Sequence, residues 1–152
     1  MPTIAPSYLY TFLAMIAVST ILVLSFMTYV SALRISSEAG QLSNLMDHLA
    51  AESTDLLTLV LVTNTTIETF LQMPSLIGEK QYWLRFRNDS SNAWLEGGFG
   101  NQPKEGAALR VHLPQEVFAT GSYIGGYGAA RLECEINAGC PRIQLTSSSV
   151  VG

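Results

Sequence analysis

The first 33 residues carry no charged side chain and no histidine, and Arg34 is the first charged residue. Residues 8–33 form one apolar run whose only polar members are Ser, Thr and Tyr. Their hydroxyl groups can bond to helix carbonyls or lie at a membrane interface. As a helix the run would be about 39 Å long, which exceeds the ~30 Å hydrocarbon core of a bilayer. The pattern predicts a transmembrane helix with a short N-terminal tail over residues 1–33.

Two other interpretations of this run stay open. A buried helix of a soluble protein can also be apolar, although such helices are shorter and usually carry some charge. A removable secretory signal is suggested by the small-residue spacing of Val30-Ser31-Ala32. The apolar region of a signal peptide, however, spans only about 7–15 residues and follows a positively charged N-terminal region. The length of the run and the missing basic residues favour a permanent anchor.

Beyond the anchor, a heptad pattern predicts that the helix continues as a stalk over residues 34–63. Four apolar residues recur every seven positions, and a fifth lies three positions after the second. These five form what we call the seam: Ile35, Leu42, Leu45, Leu49 and Leu56. We interpret the seam as a surface by which copies of the protein assemble. Two alternatives are that it packs on the protein's own β domain, or that an ordinary amphipathic helix has this phase by chance.

Residues 64–152 predict a small β domain. Residues 82, 84 and 86 are apolar and alternate with 83, 85 and 87, as in a half-buried strand. Similar short segments, bounded by turn residues, bring the total to six or seven strands. The candidates are residues 67–73, 82–87, 93–96, 107–113, 123–127, 131–136 and 142–146. The predicted fold class is therefore α+β, with a long helix followed by an antiparallel β-sandwich or open barrel.

Two features predict that this domain lies outside the cytoplasm, with the N-terminus inside. Asn64 and Asn88 each begin an N-glycosylation sequon, and such sites are used only outside the cytoplasm. The only cysteines, Cys134 and Cys140, are six residues apart. A disulfide between them is favoured over a metal site, which would need two more ligands. Two unpaired thiols are the remaining alternative.

Charge and motifs exclude several function classes. A net charge of −4 with scattered Lys and Arg gives no basic face for nucleic acid. The glycine-rich stretches at 97–100 and 121–128 are not placed between a strand and a helix and lack a following Gly-Lys-Ser/Thr, so turns and close strand packing explain them. No nucleophile elbow or paired catalytic carboxylates stand out. We therefore predict no enzymatic activity, no cofactor and no metal ligands.

The segments 1–10 and 71–98 resemble a set of uncharacterised archaeal single-pass membrane proteins. More loosely, the layout resembles archaeal type IV pilin-like proteins, in which an apolar helix precedes a β-sandwich. Those proteins carry a Pro-x-x-Ile-Gly step before a Tyr strand, and here the step is Pro74, Ile77, Gly78 and Tyr82. The resemblance implies an extracellular, often glycosylated domain. The chain departs from the prepilin processing pattern, because residues 5–7 are Ala-Pro-Ser instead of a basic residue and glycine.

These observations predict a membrane-anchored, pilin-like surface protein with a structural or assembly role, either a filament component or an accessory of a filament or the envelope. The alternative function is a membrane-displayed module that binds a ligand or adheres. Expected partners are membrane lipid and copies of the protein itself or other pilin-like subunits. The expected location is the cell membrane, with a single pass and the C-terminal domain extracellular.

Overall fold

The structure, a computed structural model, describes residues 4–106, 109–114 and 116–148. In this part of the chain a single helix, α1 (Ile4–Thr63), precedes seven strands. The strands are β1 (Ile67–Leu71), β2 (Tyr82–Asn88), β3 (Ala93–Phe99), β4 (Leu109–His112), β5 (Phe118–Ile124), β6 (Ala129–Asn137) and β7 (Cys140–Ser148). The chain divides into two compact units, residues 1–39 and 40–152. The last part of α1 therefore belongs to the same unit as the strands.

In the first unit, α1 is apolar and its side chains from residue 5 to 37 are exposed. Its most apolar 18-residue window has a mean hydropathy of 2.2, and no part of that window is buried. Hydroxyl side chains in this segment bond back to the helix, as Thr20 does to the Ile16 carbonyl at 2.8 Å. These polar groups therefore need no water. The predicted transmembrane segment is part of a helix that is long and apolar enough to cross a membrane.

In the second unit, the strands form one seven-stranded sheet in the order β1-β6-β7-β5-β2-β3-β4. Every neighbouring pair is antiparallel except β5 and β7, which are parallel. A long helix followed by this mixed sheet confirms the α+β prediction. The hydrogen-bonded order runs continuously from one edge strand, β1, to the other, β4. This order does not by itself confirm a sandwich or an open barrel.

Strand β5 joins the two halves of the sheet because it changes partner along its length. Its residues 118–121 pair with β7, and its residues 122–124 pair with β2. Gly121 lies at the change of partner with a φ of +103°, and an added Cβ would collide with the Leu145 carbonyl of β7. Glycine is needed here because other residues rarely adopt this φ and none fits against that backbone.

The last part of α1 covers one face of this sheet. Its buried side chains share one hydrophobic cluster with the inward residues of β2, which are Tyr82, Leu84 and Phe86. Helix and sheet approach closely at Gly97 of β3, where an added Cβ would lie 2.6 Å from the Met46 sulfur. The predicted alternation in β2 is confirmed, with the qualification that Trp83 on the opposite face is also buried.

The predicted strands are confirmed in number, but one is misplaced. The segment 123–127 is largely the turn after β5, which begins instead at Phe118. The tyrosines that suggested this strand, Tyr123 and Tyr127, are respectively buried and exposed because the chain turns between them. Ala107 and Ala108, the first residues of another predicted strand, lie outside the described residues.

Candidate functional site

The structure corrects the assignment of the seam to assembly. Leu42 and Leu49 are completely buried, and Leu56 is buried as well, all in the hydrophobic cluster beneath the sheet. Leu45 is partly buried against the same cluster. A side chain with no exposed surface cannot contact another copy, so this part of the seam belongs to the intramolecular core. Ile35, in the other unit, is 61% exposed.

The structure also corrects the predicted disulfide, since both thiols are free. Cys134 lies in β6 opposite Ile143, whereas Cys140 lies opposite Asn137 at the start of β7. The two cysteines are thus three register steps apart, or about 10 Å along the strands. A disulfide requires Cα atoms within about 7 Å. Cys134 is moreover buried on the core side and Cys140 is exposed, so their side chains do not converge.

The two sequons lie at the ends of regular elements. Asn64 is exposed directly after α1 and has a φ of +51°. Its backbone N–H donates to the Val60 carbonyl at 2.8 Å. Asparagine commonly ends helices in this conformation, which gives Asn64 a structural reason of its own. Asn88 is partly buried at the end of β2, opposite Ala93. Glycosylation of both residues remains a prediction.

A polar cluster that the sequence analysis did not identify covers the other face of β2, β3 and β4. Register places Arg85 of β2, Glu96 of β3 and Arg110 of β4 side by side across the three strands. Arg87 lies opposite Trp94 in the next row. We call these five residues the arginine face. They occupy the side of the sheet opposite to the side chains that pack against α1.

Glu96 is the centre of the arginine face and is completely buried. One carboxylate oxygen, Oε2, accepts a hydrogen bond from Arg85 Nη2 at 2.9 Å and lies 4.0 Å from Arg87 Nη1. The other, Oε1, accepts one from Trp94 Nε1 at 2.8 Å and lies 3.5 Å from Arg110 Nε. Three guanidinium groups and an indole N–H therefore surround a single carboxylate.

The pKa of Glu96 lies below the ordinary value for glutamate. Burial raises the pKa, but the hydrogen bonds from Trp94 and Arg85, together with the charges of Arg85 and Arg87, lower it by more. The carboxylate is therefore ionised at neutral pH despite its burial. A buried ionised carboxylate is retained when it is paired and hydrogen-bonded, as it is here.

A signal in the sequence could have located part of this cluster. A four-residue connection between β2 and β3, closed by hydrogen bonds from the Ser91 and Asn92 amides to Asp89, sets the register of the hairpin. Counting back from that connection places Arg85 opposite Glu96. Arg110 could not be placed in this way, because a longer connection separates β3 from β4.

Comparison of the chain with family models, with curated proteins and with solved structures finds no match.

Proposed function

We propose that this protein is a membrane-anchored, pilin-like surface protein with a structural role. In this proposal α1 crosses the cell membrane once, and the C-terminal unit is displayed outside the cell. The protein acts as a component of a surface filament or as an accessory of a filament or the envelope. Its partners are membrane lipid and the apolar helices of other copies or of similar subunits.

The observation that carries the proposal is the contrast between the two parts of α1. Residues 42–60 supply buried side chains to the core of the second unit. Residues 5–33 are more apolar, but they are exposed and carry no charge. An exposed apolar surface of this length requires lipid or other apolar helices around it. Because the seam is buried or partly buried from Leu42 onward, assembly in this proposal uses the exposed residues before Arg34.

A charge placed in the exposed apolar segment tests the anchor. Ile21→Lys should reduce the fraction of protein that stays in the membrane pellet through alkaline carbonate washing, since a lysine at the bilayer centre costs about 2.5–3.5 kcal/mol. Val62→Lys is the matched control, because Val62 is also an exposed β-branched residue and lies at the other end of α1. Wild-type protein found in the soluble fraction would contradict the anchor.

Electron microscopy of the same preparations separates a filament component from an accessory. The wild-type protein and Val62→Lys should show the same particles in negative stain. If the exposed segment drives assembly, these are filaments and Ile21→Lys abolishes them. If the particles are detergent-bound monomers at every concentration, the filament form of the proposal is wrong and the accessory form is supported.

The two free cysteines provide a test of orientation. In intact cells, a maleimide reagent that cannot cross membranes should label Cys140 within minutes, because that thiol is exposed. Cys134 should react only after denaturation, since burial removes access and raises the pKa of its thiol to about 12. Both thiols lie in one tryptic peptide, residues 132–142, so fragment ions in tandem mass spectrometry assign the label to one of them. Labelling of Cys140 only after the cells are opened would place the C-terminal unit inside the cytoplasm.

A further inference from the structure

We propose that the arginine face binds an oxyanion (phosphate, sulfate or carboxylate) between Arg87 and Arg110. The site is independent of the proposed anchoring and assembly, because it lies entirely in the second unit and on the side of the sheet that α1 does not cover.

The arginine face carries more positive than negative charge. Three guanidinium groups lie within 4.0 Å of Glu96, whose single negative charge balances only one of them. A second carboxylate, that of Glu105, lies 4.0 Å from Arg87 Nη1, and its side chain is 89% exposed. An ion pair so exposed contributes little in water. The arginine face therefore retains uncompensated positive charge.

The arginine face also has more hydrogen-bond donors than acceptors. Both oxygens of Glu96 already accept a hydrogen bond, one from Arg85 and one from Trp94. Arg87 Nη1 and Arg110 Nε approach the same carboxylate at 4.0 and 3.5 Å, and among the described residues neither arginine donates a hydrogen bond to it. The N–H groups of these two arginines therefore suit a ligand that only accepts hydrogen bonds, as an oxyanion does.

Arg87 and Arg110 are accessible to solvent, and Arg110 is held in a fixed position. The side chains of Arg87 and Arg110 are 41% and 48% exposed, so a ligand in solution can reach them. Arg110 is held in place, because its guanidinium lies 5.7 Å from the centre of the Trp94 ring and its Nε lies near Glu96. Both arginines approach the same carboxylate from neighbouring rows. A guanidinium that is already positioned can offer two parallel N–H groups to an oxyanion at little entropic cost.

Arg85 has a different role. Its Nη2 donates to Glu96 and to the Lys104 carbonyl, and its guanidinium lies 5.7 Å from the centre of the Trp83 ring. Through these contacts, Arg85 holds the connection between β3 and β4 against the sheet. We therefore assign Arg85 to the structure of the face, and Arg87 and Arg110 to the ligand.

Titration of the full-length protein in neutral detergent tests the site. The two tryptophans of the chain, Trp83 and Trp94, both lie on this side of the sheet, so their indole N–H signals in a ¹⁵N-labelled sample report on it. Sodium phosphate, sulfate and acetate are added in separate titrations at constant ionic strength, with chloride as the reference. We expect a saturable shift of the Trp94 signal with at least one of these oxyanions and none with chloride.

Variants assign the shift to the two arginines. Arg87→Gln/Arg110→Gln should weaken binding by at least about a hundredfold, or tenfold for each charge-assisted contact. Arg131→Gln is the control, since Arg131 is a similarly exposed arginine on β6 that pairs with Glu68. If the double glutamine variant does not fold, Arg87→Lys/Arg110→Lys keeps both charges and should still bind more weakly, because lysine lacks the two-pronged geometry.

Two results would overturn the proposal. One is a shift that chloride reproduces at equal ionic strength, which would mean simple screening of the charges. The other is a shift that both double variants retain. Comparison of acetate with an oligomer of a carboxylate-bearing sugar then shows whether a carboxylate is bound free or as part of a polymer, and either source supports the site.

Discussion

Replacing Glu96 with Gln should lower the free energy of unfolding of the second unit by about 3 kcal/mol at neutral pH. Removal of one partner from a buried ion pair leaves the other charge uncompensated, which typically costs about 3–5 kcal/mol. We expect the lower end of this range because the side chain of Arg85 keeps 22% of its surface exposed. Urea denaturation followed by tryptophan fluorescence measures the change, since Trp94 directly contacts the carboxylate.

The effect of this variant should depend on pH in a defined direction. The pKa of Glu96 is lower in the folded protein than the ordinary 4.5 of a glutamate. The ionised carboxylate therefore stabilises the fold fully above pH 4.5, and this contribution is lost as the pH falls through the lower, folded pKa. The difference between wild type and Glu96→Gln should accordingly be constant near neutral pH and should shrink in acid.

Glu105→Gln is the matched control for Glu96→Gln. Glu105 is also within 4.0 Å of an arginine of the face, but its side chain is 89% exposed. Its replacement should change the free energy of unfolding by no more than about 0.5 kcal/mol. Equal stabilities of wild type and Glu96→Gln at neutral pH, or a difference that acid leaves unchanged, would show that Glu96 does not organise the arginine face as described.

Much of the fold could be predicted from local patterns, because these patterns report directly on burial. The period-two alternation of residues 82–87 identified β2 and its inward face, which packs against α1. The uncharged run identified the exposed part of α1. In both cases the decisive information lies within a few consecutive residues, so neighbours distant in sequence are not needed to interpret it.

The disulfide prediction was wrong, although the two residues between β6 and β7 already determine where the cysteines lie. Ala138 and Gly139 both have positive φ, at +52° and +81°, and form the two-residue connection of a tight hairpin between β6 and β7. That connection fixes the register and places Cys134 opposite Ile143 rather than opposite Cys140. The short spacing of the two cysteines suggested a disulfide-closed loop. The hairpin geometry excludes one, because strand pairing is already specified by the turn.

Other features depend on contacts that no local pattern encodes. The parallel pairing of β5 with β7 brings together residues 118–121 and 142–145, and nothing in either segment identifies the other. The arginine face likewise requires β4 beside β3, since only this neighbour places Arg110 near Glu96. A buried glutamate within an apolar strand suggests that cations lie nearby, but it does not say which ones.

The seam provides the second large effect, which we expect on stability and not on association. Leu42→Ala and Leu49→Ala should each lower the free energy of unfolding of the second unit by about 2–5 kcal/mol. Each removes a fully buried leucine side chain and leaves a cavity against the sheet. The measurement is urea denaturation of the full-length protein in detergent, with Trp83 and Trp94 as probes because both lie in the sheet.

Ile35→Ala distinguishes packing within one molecule from packing between copies. Ile35 has the same heptad phase as Leu42 and Leu49, but it is exposed, so its replacement should leave the stability of the second unit unchanged. Sedimentation of each variant measures self-association separately from unfolding.

If Leu42→Ala and Leu49→Ala abolished association but did not change the urea midpoint, the leucines would lie between copies and the core described for the second unit would be wrong. The expected result is that both leucine variants lose stability, while association changes only in variants at Ile35 or earlier in α1. The two parts of the heptad pattern would then have different roles. In that outcome the leucines stabilise the second unit, whereas Ile35 and the residues before Arg34 contact lipid and neighbouring helices.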